Sequence, residues 1–327
     1  MAKEHRKTVL IAAAANLVIA VSKCVAGAIS GSAAILAEGA HSVADTANQV
    51  FLMVSLRMGE RPPDEEHPFG YGKERFFWAF VAAIGIFILG AGFSFLQGIT
   101  GLISGTEESS SGYVAAYVVL AIAFVAEGIS WLRAWRQTKA EAKEENESVL
   151  EHVRESKDPT VKTVLMEDSG ALVGIVLAFI GIGLAQLTGI PQFDPAASIL
   201  IGVLLTFIAI RLGKNTKGLL LGESARPEDR ERIRRAIEDH EGVDGVLELL
   251  TMAVGPESLM VAARVDLSDG HTADEIEQIA DKVERDVREA VGTVSFLFLD
   301  PTPPHGADRR LVRGASEDPH AEHRRAG

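Results

Sequence analysis

Gly31-Ser-Ala-Ala-Ile-Leu-Ala-Glu38-Gly-Ala-His41-Ser-Val-Ala-Asp45-Thr-Ala-Asn48-Gln-Val-Phe-Leu-Met-Val-Ser-Leu56 decides how this chain is read. It is long enough to cross a bilayer as a helix, which takes about 20 residues. Yet it carries an imidazole and two carboxylates. Ionisable groups in hydrocarbon are costly and normally face a bundle interior or a water-filled path. Glu38, His41, Asp45 and Asn48 recur at spacings of three, four and three, which puts them on one helical face. One such residue alone would read as a hydrogen-bonded structural group; four in a stripe point to a cation site. Imidazole and carboxylate together suit a divalent transition metal, zinc first. Glu38, nearer the outer surface, is expected to line an exit path.

A second apolar stretch, Val164-Leu-Met-Glu167-Asp168-Ser-Gly170-Ala-Leu-Val-Gly174, brings its own acids to comparable depth. Adjacent helical residues point about 100° apart, so only one of Glu167 and Asp168 can face the first stretch squarely. Asp168 is expected to meet Asp45 near the midplane. Gly170, Ala171 and Gly174 form a small-residue face for close helix packing.

The chain has 327 residues, 47% of them hydrophobic, and a net charge of −13. That balance implies a membrane domain joined to a soluble one. The acidic charge argues against a nucleic-acid partner, since phosphate binding needs a basic surface. The single cysteine, Cys24, can form no intrachain disulfide and removes cysteine-rich zinc sites. The basic start, Met1 to Lys7, precedes an apolar run longer than a signal-peptide core, so it reads as a first membrane span.

Six spans are expected, at about 8–29, 33–57, 76–99, 112–134, 160–188 and 194–212. Lys and Arg crowd the N-terminus, the second-to-third and fourth-to-fifth connections and the segment after the sixth span. The three opposite connections carry neither residue. Both termini are therefore expected in the cytoplasm of a multi-pass cell-membrane protein. The charged connection from Lys139 to Arg154 favours helix and reads as a solvated extension of its flanking spans rather than a metal-delivery loop built on His152.

The composition then turns soluble. Pro227 to His240 reads as a helix with proline at its start. Gly245 to Val254 and Leu259 to Leu267 read as strands about a turn at Gly255 to Ser258. Thr272-Ala-Asp-Glu275 is a capping box for a helix reaching about Ala290, and Thr293 to Asp300 is a third strand. The order αββαβ implies a small α+β, ferredoxin-like domain with its helices on one sheet face. The expected organisation is a transmembrane domain over 1–222, a cytoplasmic domain over 223–302 and a polar, disordered tail over 303–327.

Other polar residues have plainer readings. Asn16 and Lys23 share a face of the first span, and Lys23 is expected to snorkel to the outer surface. Glu127 is an acid near the inner end of the fourth span, placed to accept a proton or to pair with Lys162. In the loop Arg61-Pro-Pro-Asp64-Glu-Glu-His67-Pro-Phe-Gly-Tyr71-Gly-Lys73, Asp64 and His67 offer a weak cation site, too few ligands for firm zinc binding. The alternative is a rigid loop.

The His41-Ser-Val-Ala-Asp45 run, followed by His67-Pro-Phe-Gly-Tyr-Gly-Lys73, resembles the cation diffusion facilitator family of zinc and related metal transporters, over about residues 8–302. The resemblance implies a homodimeric, proton-coupled exporter rather than an enzyme, with no resident cofactor and a transported dication, zinc foremost. It makes His41 and Asp45 the second-span ligands and Asp168 the fifth-span acid. The family's fifth-span histidine is replaced by Val164. Glu167 then supplies the fourth ligand, as in a divergent branch carrying Glu-Asp there. Tyr71 replaces a loop histidine. Asp300 matches a ligand acid of the soluble domain, where Phe298 stands in the preceding histidine position, so a cytoplasmic binuclear site is expected to be incomplete. Manganese, iron or cobalt suit the oxygen-rich donor set as well. A non-transporting metal sensor or scaffold, or a metal-dependent intramembrane hydrolase, are the readings from other classes.

Overall fold

The computed structural model describes residues 2–104, 112–144, 148–150, 153 and 159–302. The chain divides into two compact units after Leu220. His152 and the expected tail from 303 lie outside the described residues.

The first unit is helical. Its helices are α1 (Ala2–Ser30), α2 (Ala33–Gly59), α3 (Glu74–Ser104), α4 (Gly112–Glu144), α5 (Pro159–Thr188) and α6 (Phe193–Leu221). Among the described residues, four stretches are long and apolar enough to cross a membrane: Glu74–Ser104, Tyr113–Lys143, Thr163–Thr188 and Phe193–Leu221. α2 is not among them, because the polar stripe that marks it as functional also dilutes its apolar character. α1 is a helix of 29 residues.

Several helices outrun their sequence-based limits. α4 reaches Glu144, so the start of the charged connection is a helical extension. α6 continues to Leu221, since Lys214 and Lys217 are good helix formers once outside hydrocarbon. α3 contains a π-helical segment at Ile86–Gly92, a distortion common at functional sites.

α2 is the centre of the unit, packing on α1, α3 and α5. Close approach to α1 depends on Gly39: a Cβ there would lie 2.8 Å from Cys24 Sγ and 3.1 Å from the Cys24 amide nitrogen. Ile86, Leu120, Ile182, Ile201 and Leu205 fill the interior. Phe87, Ile88, Ile122, Phe179, Ile180 and Phe207 are exposed around the outside, an arrangement suited to lipid rather than water.

The second unit runs α7 (Pro227–Glu238), β1 (Val243–Gly255), β2 (Ser258–Leu267), α8 (Ala273–Ala290), β3 (Val294–Pro301). β1 and β2 form an antiparallel hairpin, and α8 makes the crossover that the parallel β2–β3 pair requires. Leu259, Val261, Ala263 and Val265 alternate inward on β2. They meet Ile233 and Ile237 of α7 and Ile279, Val283 and Val287 of α8. Both helices therefore lie on one sheet face. The Thr272 capping box forms: the Thr272 hydroxyl accepts from the Glu275 amide, and the Glu275 carboxylate accepts from the Thr272 amide.

Candidate metal centre

His41 and Asp45 lie one turn apart on α2, with 1% and 14% of their side chains exposed. Their nearest atoms, Nδ1 and Oδ1, are 3.5 Å apart without hydrogen-bond geometry. Both His41 ring nitrogens, Asp45 Oδ1 and Gln49 Oε1 are buried with no hydrogen-bond partner, as are Glu38 Oε1 higher on the same helix and Glu167 Oε1 on α5. Buried polar atoms are nearly always satisfied. A run of unsatisfied nitrogen and oxygen donors along one face is the chemistry that holds a metal cation.

The two acids of α5 diverge as adjacent helical residues must, but with their expected parts exchanged. Glu167, not Asp168, meets α2: Asn48 Nδ2 donates to its Oε2 at 2.5 Å. Asp168 turns to α4, where Ser130 Oγ donates to its Oδ2 at 2.9 Å. Asp45 still lies within the electrostatic reach of Glu127, Lys23, Asp168 and Glu38. Among the described residues no three His, Cys, Asp or Glu side chains converge as a metal would require. His41, Asp45, Glu167 and Asp168 form a neighbourhood of donors rather than a closed tetrahedron. A cavity of about 30 Å³, room for about one water, adjoins Asn48 toward the C-terminal end of α2, lined also by Ser55, Arg75, Trp78, Thr163 and Val164. Val164, which the family resemblance puts in place of a histidine, thus lines this cavity.

The expectation that Lys23 snorkels is overturned. Its ammonium is fully buried and donates to Glu38 Oε2 at 3.1 Å and Ser42 Oγ at 2.9 Å. A lysine facing into the bundle cannot reach the surface along its own helix, and an acid on the facing helix offers the cheaper solution. Glu38 is fully buried too, so it lines no open exit. Gly174 of α5 leaves space for its carboxylate, and Gly170 makes room for Ile208 of α6. Glu127 is buried, with 8% exposed; the side chain of Lys162, its suggested partner, lies outside the described residues.

The loop after α2 is self-contained. Tyr71 Oη donates to Asp64 Oδ2 at 2.7 Å, and the His67 amide donates to Asp64 Oδ1 at 2.8 Å. The Arg61 guanidinium lies 4.2 Å from the centre of the Tyr71 ring. The Tyr71 hydroxyl, helped by the His67 amide, holds the Asp64 carboxyl below its ordinary range, and the same bond raises the tyrosine. With both carboxylate oxygens engaged, Asp64 and His67 fit the rigid-loop reading better than the cation site. In the second unit, Asp300 accepts from Thr302 Oγ1 at 2.5 Å and from Arg264 Nε at 3.2 Å.

Three features of the site region escaped sequence reasoning. Ser130 and the Lys23–Glu38 pairing leave no local signature; only the need of every intramembrane charge for a partner hinted at the latter. Asp194 is fully buried at the start of α6 and reaches across to the first turn of α2. It accepts from Ser32 Oγ at 2.6 Å, Ala33 N at 2.6 Å and Ala34 N at 3.4 Å. An acid followed by proline at a helix start was the available clue.

Comparison with known proteins follows the same division. The cation efflux transmembrane domain matches residues 9–221, and the cation efflux protein cytoplasmic domain matches residues 225–298. Metal tolerance protein C4 of Arabidopsis thaliana is 34% identical over 239 residues, 73% of this chain and 52% of that protein. The mitochondrial proton-coupled zinc antiporter SLC30A9 of Xenopus laevis is 32% identical over 260 residues, 80% and 46%. The manganese efflux system protein MneP of Bacillus subtilis (strain 168) is 24% identical over 298 residues, 91% and 96%. The chain thus spans about half the length of the first two relatives. The match is to a transporter family, which sets the hydrolase reading aside. With its transmembrane domain, its cytoplasmic domain and the polar stripe of α2 all in place, this chain belongs to the cation diffusion facilitator family.

Proposed function

We propose that this protein carries divalent metal cations out of the cytoplasm, zinc first, in exchange for protons. The observation behind this reading is the line of buried, unpartnered donors on α2 with Glu167 opposite. Leaving each such atom unsatisfied costs about 1–3 kcal/mol, a cost that a passing dication offsets. His41 binds metal as neutral imidazole and releases it on protonation, which couples the two ions. Asp45 and Asp168 balance the dication's charge, and Glu167 supplies the fourth ligand. A rotation of α5 through part of the roughly 100° between adjacent residues turns Asp168 toward α2 while Glu167 stays within reach, and so gathers the donors, one half-cycle of alternating access.

Helices α1 to α6 each cross the membrane in this reading. Both termini and the second unit, a ferredoxin-like domain, lie in the cytoplasm, where the domain pairs with that of a second copy. The zinc antiporter among the relatives favours zinc. The oxygen-rich donor set and the manganese-efflux relative favour manganese as the second reading. The test is flux into proteoliposomes holding the purified chain, with zinc, manganese, iron and cobalt offered in turn. Zinc movement that collapses with the pH gradient is expected. A chain that moves none of these ions under any gradient refutes transport and leaves the sensor reading.

A further inference from the structure

Beside the candidate metal centre lies a buried charge pair that the transport reading does not use. Lys23 of α1 and Glu38 of α2 are both fully buried, 3.1 Å apart, and Ser42 Oγ takes a second bond from the ammonium at 2.9 Å. Glu38 stands one turn before His41, and Ser42 follows His41 directly. The ammonium therefore sits against the polar stripe itself. Only one oxygen of Glu38 is engaged; Oε1 is buried and without a partner. Gly174 of α5 opens the space in which that oxygen lies.

Stability alone does not account for this arrangement. Buried ion pairs can often be replaced by apolar side chains at no cost, because desolvation cancels their attraction. A pair kept for stability would also satisfy both carboxylate oxygens. Here one oxygen of a carboxylate on the stripe that carries His41 and Asp45 is left without a partner, beside Gly174 of α5.

We propose that Glu38 is a second binding point for the transported dication, and that Lys23 is a tethered cation that holds its place. This rests on the transport reading above. As the dication moves along α2, Oε1 of Glu38 takes it, and the Lys23 ammonium falls back on Ser42. When the dication leaves, the ammonium returns to Oε2. Lys23 thereby keeps the carboxylate from sitting uncompensated beside the metal path, where its full charge would trap a dication. Lys23 is a positioning residue; Glu38 is the ligand.

The roles predict affinity shifts of opposite sign in two variants. Lys23→Met frees the whole charge of Glu38, so zinc binding to the purified full chain should tighten by about tenfold while zinc flux slows. Lys23→Met/Glu38→Leu removes charge and ligand together without stranding either partner, so zinc binding should weaken by about tenfold in a protein with wild-type size-exclusion and circular-dichroism profiles. Zinc affinities that move in the same direction in both variants, or that stay at the wild-type value, overturn the proposal. If the double variant does not fold, Lys23→Gln/Glu38→Gln replaces it; a chain that folds with neither overturns the proposal, since the pair then serves the fold. A wild-type chain that moves no metal sinks the transport reading itself. A wild-type chain that transports, beside a double variant with the same affinity and flux, sinks only the role of Glu38 and Lys23.

Discussion

Replacing Asp194 by alanine should unfasten the start of the helix that carries the candidate site. Its buried carboxylate accepts two bonds of 2.6 Å, from Ser32 Oγ and from the Ala33 amide at the first turn of α2. Hydrogen bonds to a charged group contribute about 1.5–3 kcal/mol each, so the two short ones together amount to about 3–6 kcal/mol. A negative charge at a helix N-terminus adds about 0.3–2 kcal/mol. The Ala33 amide, buried and deprived of its acceptor, makes the lower end of that range a floor. For a unit of this size each kcal/mol moves the melting temperature by about 2–4 °C, so Asp194→Ala should melt about 6–24 °C lower. Thermal unfolding of the purified chain in detergent, followed by circular dichroism, measures it. Asp194→Asn keeps one acceptor and should fall between. Ser32→Ala loses the cap on Ile35 as well as one bond to Asp194, but spares the bond from Ala33, and should cost about 2–5 kcal/mol. A melting temperature for Asp194→Ala within about 2 °C of wild type would refute the interhelical cap.

His41→Ala and Asp45→Ala should each abolish metal flux while leaving the size-exclusion profile unchanged; full flux in either removes the central site. Glu167→Gln should lower metal affinity nearly as much as Asp168→Asn, by calorimetric titration, and wild-type affinity in Glu167→Gln would exclude it as a ligand. In the loop, the bond from Tyr71 depresses the Asp64 carboxyl, so it contributes stability that is present above the unfolded value and lost as pH falls through the lower folded one. Tyr71→Phe should return Asp64 toward its ordinary range; a carbon-13 titration of Asp64 unchanged by that substitution would show that the hydroxyl is not the cause.

Local chemistry made much of this protein legible. The Thr272 capping box, the alternation of β2 and the turn at Gly255 to Ser258 are written over spans of a few residues, and the structure follows them closely. The stripe Glu38, His41, Asp45, Asn48 was equally plain, because helical periodicity alone puts those side chains on one face. Helix ends were less so: α4 and α6 run on past the apolar stretch, since hydropathy marks where hydrocarbon would stop and not where backbone hydrogen bonding does.

The sequence by itself determined which residues are polar in a membrane-spanning context, and so where a cation could be held. It did not determine what each one faces. That Glu167 turns to Asn48 while Asp168 turns to Ser130 depends on the rotation of α5 against two neighbours. That Lys23 goes inward to Glu38, and that Asp194 closes the first turn of α2, depend on contacts across 15 and about 160 residues of chain. Adjacent positions on a helix differ by about 100°, so the rotation at which packing fixes each helix decides which of two neighbouring side chains meets a given partner, and packing is a property of the assembled helices that no local pattern encodes.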